Sequence, residues 1–97
     1  MAIQRTIRIA SATQEYLREQ EAKDPLLKKV VSGLIWRLER ELEPIGYRIP
    51  GYNPGTYLLK IPYRLPVPRI LRVLYEDHDE EFLIVLAEVE KLSQIDE

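Results

Sequence analysis

The first quarter of the chain changes from a two-residue to a helical spacing of apolar positions. Residues 3–9 alternate between apolar and polar side chains, which predicts a short, half-buried strand. Ser11 and Gln14 have the spacing of a capping box. A helix of about three turns is therefore predicted from this point to about Ala22.

A second helix is predicted from Asp24 and Pro25 onward. Aspartate is a good N-cap, and proline is tolerated in the first helical turn because its missing N–H has no partner there. Pro44 ends the predicted helix. Its apolar stripe recurs every three or four residues, at Leu27, Val31, Leu34, Leu38 and Leu42.

The second half of the chain reads as turns and strands. Residues 44–55 hold three prolines and three glycines, which is turn chemistry. Three strands are predicted at 56–61, 69–75 and 82–89, joined by a stiff basic connector over 62–68 and a charged hairpin turn over 76–80.

The order of these elements predicts the fold class. It is strand, helix, helix, strand, strand, strand. We expect a two-layer α+β domain in which a helix hairpin packs on a mostly antiparallel, four-stranded sheet. One domain is expected over residues 1–97, with an acidic tail from about residue 91.

Composition excludes several classes of protein. The absence of cysteine removes disulfide scaffolds, thiolate nucleophiles and cysteine-ligated zinc. A single histidine, His78, rules out sites that need two imidazoles. No metal or other cofactor is expected. No apolar run reaches the roughly 18 residues of a membrane span, and residues 1–10 carry no signal-peptide core, so we expect a cytoplasmic protein.

The net charge of −2 conceals an asymmetry along the chain. Residues 44–75 contain no Asp or Glu but hold five arginines and lysines and five of the six tyrosines, whereas residues 76–97 hold nine acids. Cations between aromatic rings suit single-stranded nucleic acid, because cations meet phosphates and rings stack on bases. The alternative is that strands favour tyrosine and that the cations only solvate the surface.

The text RILRVLY at 69–75, followed by an acidic turn and an apolar last strand, resembles the RelE/ParE family. The likeness extends over the element order from Gln4 to about Lys91. These proteins are toxins of bacterial type II toxin–antitoxin systems. The resemblance implies a cognate antitoxin as partner and one of two activities. RelE-like members cleave mRNA on the ribosome, and ParE-like members inhibit DNA gyrase without nuclease activity.

The resemblance also implies site residues for a metal-independent endoribonuclease. Lys60 is similar to a catalytic lysine of the family, and Arg72 to the arginine that holds the phosphate. An arginine on a strand face shared with apolar residues needs a partner, so the alternative for Arg72 is an ion pair with Glu88. We expect the remaining basic and aromatic residues of the middle third to bind the RNA, namely Arg64, Arg69, Tyr57, Tyr63 and Tyr75.

The family pattern is incomplete in this chain. Its second lysine corresponds to Leu58, and no Tyr or Arg follows Tyr75. His78 is expected to be a solvated turn residue. Two leading hypotheses therefore remain: a ribosome-dependent mRNA interferase with an incomplete acid–base set, or a non-catalytic protein of the same fold. The second is either a gyrase inhibitor or a degenerate toxin that binds an antitoxin. A third, without the family, is a small α+β module that binds RNA or protein. We expect the tyrosines and cations of the middle third to converge, across neighbouring strands, into one positive hollow.

Trp36 does not belong to the apolar stripe of the second helix. At 100° per residue it falls nearly opposite Leu27 and Leu34. It either packs under the first helix or serves as an aromatic anchor for a partner, and we name it as the candidate contact with the antitoxin.

Overall fold

The structure, a computed structural model, describes residues 5–41, 43–53, 55–64 and 68–91. It contains two helices and five strands. In chain order these are β1 (Thr6–Ile9), α1 (Ser11–Lys23), α2 (Pro25–Arg40), β2 (Tyr47–Ile49), β3 (Thr56–Arg64), β4 (Pro68–Asp77) and β5 (Glu81–Lys91).

The two helices follow the predicted pattern, with differences at their ends. The stripe of α2 is buried at Leu27, Val31, Leu34 and Leu38, and Pro25 lies in the first turn. The predicted position at Leu42 lies outside the described residues. The predicted capping box is wrong, because Ser11 is already helical and Ala10, without a side-chain cap, is the N-cap. The Ala10 carbonyl instead accepts the Gln14 N–H at 2.8 Å.

All five strands form one mixed sheet in the order β1-β5-β4-β3-β2. β1 runs parallel to β5, and the other neighbouring pairs are antiparallel. The register of β4 and β5 shifts between Leu74 and Tyr75, because Tyr75 pairs with Ile84 while Leu74 pairs with Leu86. This bulge leaves Val85 as the extra residue of β5.

The α+β class and the helix pair are confirmed, but the four-stranded sheet is wrong. The fifth strand, β2, lies inside the segment 44–55 that was predicted as turns only. The connector predicted over 62–68 is also mostly strand, because β3 continues to Arg64 and β4 begins at Pro68. Prolines at both positions 62 and 68 fit this location, since β3 has an open edge beyond residue 58 and Pro68 is the first residue of its strand.

The helices cover one face of the sheet and bury the core against it. Tyr75, Phe82, Leu27, Leu38, Leu71 and Ile84 are its largest fully buried side chains. Because strand side chains alternate, every second residue of β4 points into this core and the residues between point to the other face. In β4, only the residues that point away from this core are therefore available to contact a ligand or partner.

None of the helices in the described ranges is both long and apolar enough to cross a lipid bilayer.

Candidate functional site on the open sheet face

The face of the sheet opposite the helices carries a row of charged residues across three strands. Lys60 on β3 pairs in register with Arg72 on β4, and Arg72 pairs with Glu88 on β5. Residues that are directly opposite in a sheet lie on the same side. Since Leu71 and Val73 are buried under the helices, Arg72 and its two neighbours lie on the other side, which we call the open face.

Arg72 is held by two carboxylates of β5. Its Nη1 lies 3.4 Å from Glu88 Oε1, and its Nη2 contacts Glu90 Oε1. The Arg72 side chain is 34% exposed, so these contacts are partly shielded from water. Together with Lys60, the four side chains carry a formal charge of zero. The alternative considered for Arg72, an ion pair with Glu88, is therefore present, and Glu90 adds a second acid.

An apolar row crosses the open face next to the charged row. Each of its members pairs in register with the next, and the row runs over four strands as Tyr47, Leu58, Leu74 and Leu86. Its two outer members are the most exposed, Tyr47 at 65% and Leu86 at 56%. A contiguous apolar stripe in water is typical of an interaction surface.

Arg69 and Tyr63 lie on the helix-covered face. They pair in register, and both reach the junction between α1 and α2. Asp24 Oδ2 accepts hydrogen bonds from Tyr63 Oη at 3.0 Å and from Arg69 Nη1 at 3.2 Å. Burial and the hydrogen bond to the Asp24 carboxylate raise the pKa of Tyr63 to about 12. This cluster connects the sheet to the helix junction.

Tyr57 and Tyr75 also belong to the covered face. Their rings stack with centroids 5.6 Å apart, and Tyr75 is fully buried. The Tyr75 hydroxyl donates to the Ile45 carbonyl and accepts the Ile45 N–H at 2.8 Å. Burial raises the pKa of Tyr75 to about 12. Tyr75 thus positions the chain between α2 and β2, and no surface of its ring is open to a substrate.

The prediction that the cations and tyrosines of the middle third form one positive hollow is wrong. Lys60 and Arg72 lie on the open face, whereas Arg69, Tyr57, Tyr63 and Tyr75 lie on the covered face. The reason is the two-residue period of a strand, which sends residues 69 and 72 to opposite sides. The predicted role of Arg64 concerns a side chain outside the described part of the structure.

Trp36 is 60% exposed on α2, so it does not pack under α1. The guanidinium of Arg40 lies over its ring, 4.3 Å from the centroid. The guanidinium covers part of the ring, and the exposed remainder is accessible to a partner. The proposed contact between Trp36 and an antitoxin remains a prediction. His78 is exposed in the β4–β5 turn, where its Nε2 lies 2.9 Å from Glu76 Oε1.

Sequence reasoning missed the apolar row and the role of Glu90. The signal for the row was present in the alternate positions of the predicted strands, but their register could not be known before the strands were paired. The signal for Glu90 was its spacing of two residues from Glu88, which places both on one face of β5.

Comparisons with protein-family models, with curated proteins and with solved structures found no match to this chain. Within the described ranges, no group of three or more His, Asp or Glu side chains is placed to hold a metal ion.

Proposed function

We propose that this chain is a RelE/ParE-like protein that acts by binding a partner protein, a cognate antitoxin, on its open face. The observation that carries the proposal is the double ion pair of Arg72 with Glu88 and Glu90. The two carboxylates occupy the guanidinium of Arg72, which the family resemblance implies would bind the phosphate. The order of strand, helix, helix and antiparallel strands, which the resemblance implies, supports the same family.

The charges of the open face do not favour a nucleic acid. A phosphate that approaches Arg72 competes with two carboxylates already in place and is repelled by them. Lys60 supplies one further positive charge, which is far less than the extended basic surface that phosphate backbones select. A chain with this face needs another source of affinity.

The apolar row supplies that source for a protein partner. Covering exposed leucine and tyrosine side chains stabilises a complex by about 25 cal/mol for each Å² of apolar surface removed from water. Exposed Leu86 and Tyr47 are the members with the most surface to lose. The neighbouring charges, Lys60 and Glu88, would then select the orientation of the partner more than its affinity.

The experiment compares two exposed tyrosines. The first step is a search for a short open reading frame that adjoins the gene. Its product serves as the partner, and its affinity is measured by calorimetry. Tyr47→Ala should weaken binding about tenfold, which corresponds to about 1.4 kcal/mol. Tyr52→Ala, on a residue of similar exposure (59%) outside the row, should leave the affinity unchanged. Equal affinities of both variants and the wild type would contradict the proposal.

Two other activities are tested by separate assays. The pairing of Lys60 with Arg72 is the one observation that favours a ribosome-dependent mRNA interferase, since two cations lie side by side on adjacent strands. Cleavage of ribosome-bound mRNA would select that function. Inhibition of DNA supercoiling would select a gyrase inhibitor. Growth arrest after induced expression, relieved when the partner is expressed as well, is expected for either form of toxin.

A further inference from the structure

The edge strand β2 covers only part of its neighbour β3. β2 pairs with three residues of β3, from Thr56 to Leu58. β3 continues to Arg64, and from residue 59 onward the described part of the chain offers it a partner strand on the β4 side only. An uncovered edge presents unpaired N–H and C=O groups, which are a template for another strand.

Gly46 turns the chain away from this edge. It has a φ of +102°, and a Cβ there would lie 2.6 Å from the carbonyl oxygen of Leu58. The preceding residue, Ile45, is held by the buried hydroxyl of Tyr75 on the covered side of the sheet. β2 therefore begins at Tyr47 and does not extend along β3 to Lys60, so the space beside Lys60 is open.

The backbone of Lys60 faces the open edge. The contact with Gly46 shows that the Leu58 carbonyl points toward β2, and carbonyls two residues apart in a strand point the same way. The N–H and C=O of Lys60 therefore point outward, as does the C=O of Pro62. Because Pro62 has no N–H, the edge can pair with a short segment but not with a long strand.

A groove runs along this edge between β3 and α2. It consists of two cavities of about 600 and 390 Å³ that share Leu59 and Lys60. One lies at the end of β2 and the other against α2. Their apolar lining includes Tyr47, Leu58, Val30, Leu34 and Ile61.

The groove is positively charged. Its charged lining residues are Lys29, Arg37 and Lys60, with no carboxylate among them. Arg37 is paired with Glu41, its Nε 3.0 Å from Oε2. Among the described residues, Lys29 and Lys60 form no ion pair, so the positive charge of the groove comes from these two lysines. A second copy of the chain placed edge to edge would bring Lys60 of each copy together, which repels. An acidic segment is instead attracted by these lysines, which strengthens its binding.

We propose that the open edge of β3 takes up a short, extended acidic segment of the partner by strand addition. The segment pairs with the backbone of Lys60 and lies next to β2 along the same edge of β3. Its apolar side chains enter the groove, and its carboxylates meet Lys29 and Lys60. This inference rests on the proposed function, which supplies the partner. It extends the contact from the apolar row, which the groove meets at Tyr47 and Leu58, along the open edge of β3.

The test uses a synthetic peptide of four Glu-Val repeats with blocked ends and hydrogen exchange of assigned amides. In the free protein, the Lys60 amide should exchange rapidly, while the amides of Leu59 and Ile61, which face β4, are protected. Saturating peptide should slow exchange at Lys60 at least tenfold. A peptide with N-methyl groups on every second residue, on the side that pairs, should lose this effect.

Charge variants complete the test. Lys29→Glu combined with Lys60→Glu should weaken peptide binding at least tenfold. The matched control, Lys23→Glu combined with Lys28→Glu, reverses the same charge on exposed lysines outside the groove and should leave binding unchanged. The inference would be overturned if a Lys-Val peptide bound the wild type as tightly as the Glu-Val peptide. It would also be overturned if the Lys60 amide stayed unprotected at saturating Glu-Val peptide.

The two proposals fail in different ways. If Leu86→Ala, a change in the apolar row outside the groove, weakens binding of the partner protein and the double lysine variant does not, the proposed function stands and the strand addition is wrong. If neither variant changes the affinity, both proposals are wrong.

Discussion

Arg69 and Arg72 lie three residues apart on β4 and have opposite environments. Arg69 is 17% exposed under the helices and donates to Asp24, whereas Arg72 is 34% exposed on the open face and contacts two glutamates of β5. The first pair ties the sheet to the helix junction. The second pair lies where a partner can reach it.

The two faces show why a cation in a strand is weak evidence for a binding site. A basic residue on the covered face is paired with a buried partner in the protein itself. A basic residue on the open face can also contact molecules in solution. Only the pairing of strands separates the two cases. We therefore expect substitutions on the covered face to change stability, and substitutions on the open face to change binding.

The largest expected difference is between two leucines of β4. Leu71→Ala removes a fully buried side chain and should lower the free energy of unfolding by about 4 kcal/mol, because it leaves a cavity. Leu74→Ala, on the open face, should cost about 1 kcal/mol because little buried surface is lost. Urea unfolding measures both. Equal losses would contradict the division of the sheet into two faces.

The carboxylates of the two ion pairs give the next comparison. Asp24→Ala leaves a largely buried Arg69 without its partner and should cost about 3 kcal/mol of stability. Glu88→Ala removes a carboxylate that is 61% exposed and should cost less than about 1 kcal/mol. The midpoints of thermal unfolding of the two variants test this order. A Glu88→Ala variant as unstable as Asp24→Ala would assign Arg72 a structural role.

The smallest effect is expected at alkaline pH. The pKa of Tyr63 is about 12 in the folded protein and about 10 when unfolded, so the unfolded state loses its proton first. The stabilising contribution is complete below pH 10 and is lost as the pH rises toward 12. Tyr63→Phe should reduce the loss of stability between pH 9 and pH 11 by about 1 kcal/mol.

Tyr75 keeps part of that pH dependence in both proteins, because its pKa is also raised to about 12. Urea unfolding at pH 9, 10 and 11 therefore measures the difference between wild type and variant, not its absence. Identical slopes for the two proteins would show that the hydroxyl of Tyr63 is not buried against Asp24.

The sequence predicted the helices and the long strands because their periods are local. The stripe of α2 from Leu27 to Leu38 and the alternation of residues 69–75 need no knowledge of distant parts of the chain. β2 was missed for the opposite reason. Its three residues lie between turn-forming residues, and they become a strand only because β3 is beside them.

The candidate site could be predicted only in part. Lys60 and Arg72 were both expected in one site, and they pair in register on β3 and β4. The single positive hollow was predicted wrongly, because the face on which each residue lies depends on the strand register and on the side that the helices cover. Tyr63 shows this most clearly: its hydroxyl meets Asp24, which is 39 residues earlier in the chain.

The central claim is that the doubly paired Arg72 is not available to hold a phosphate. The most direct measurement is cleavage of ribosome-bound mRNA by the purified protein, compared with Arg72→Ala. We predict no cleavage by either protein above the level of ribosomes alone. Cleavage by the wild type that disappears in Arg72→Ala, with the fold intact by circular dichroism, would contradict the claim.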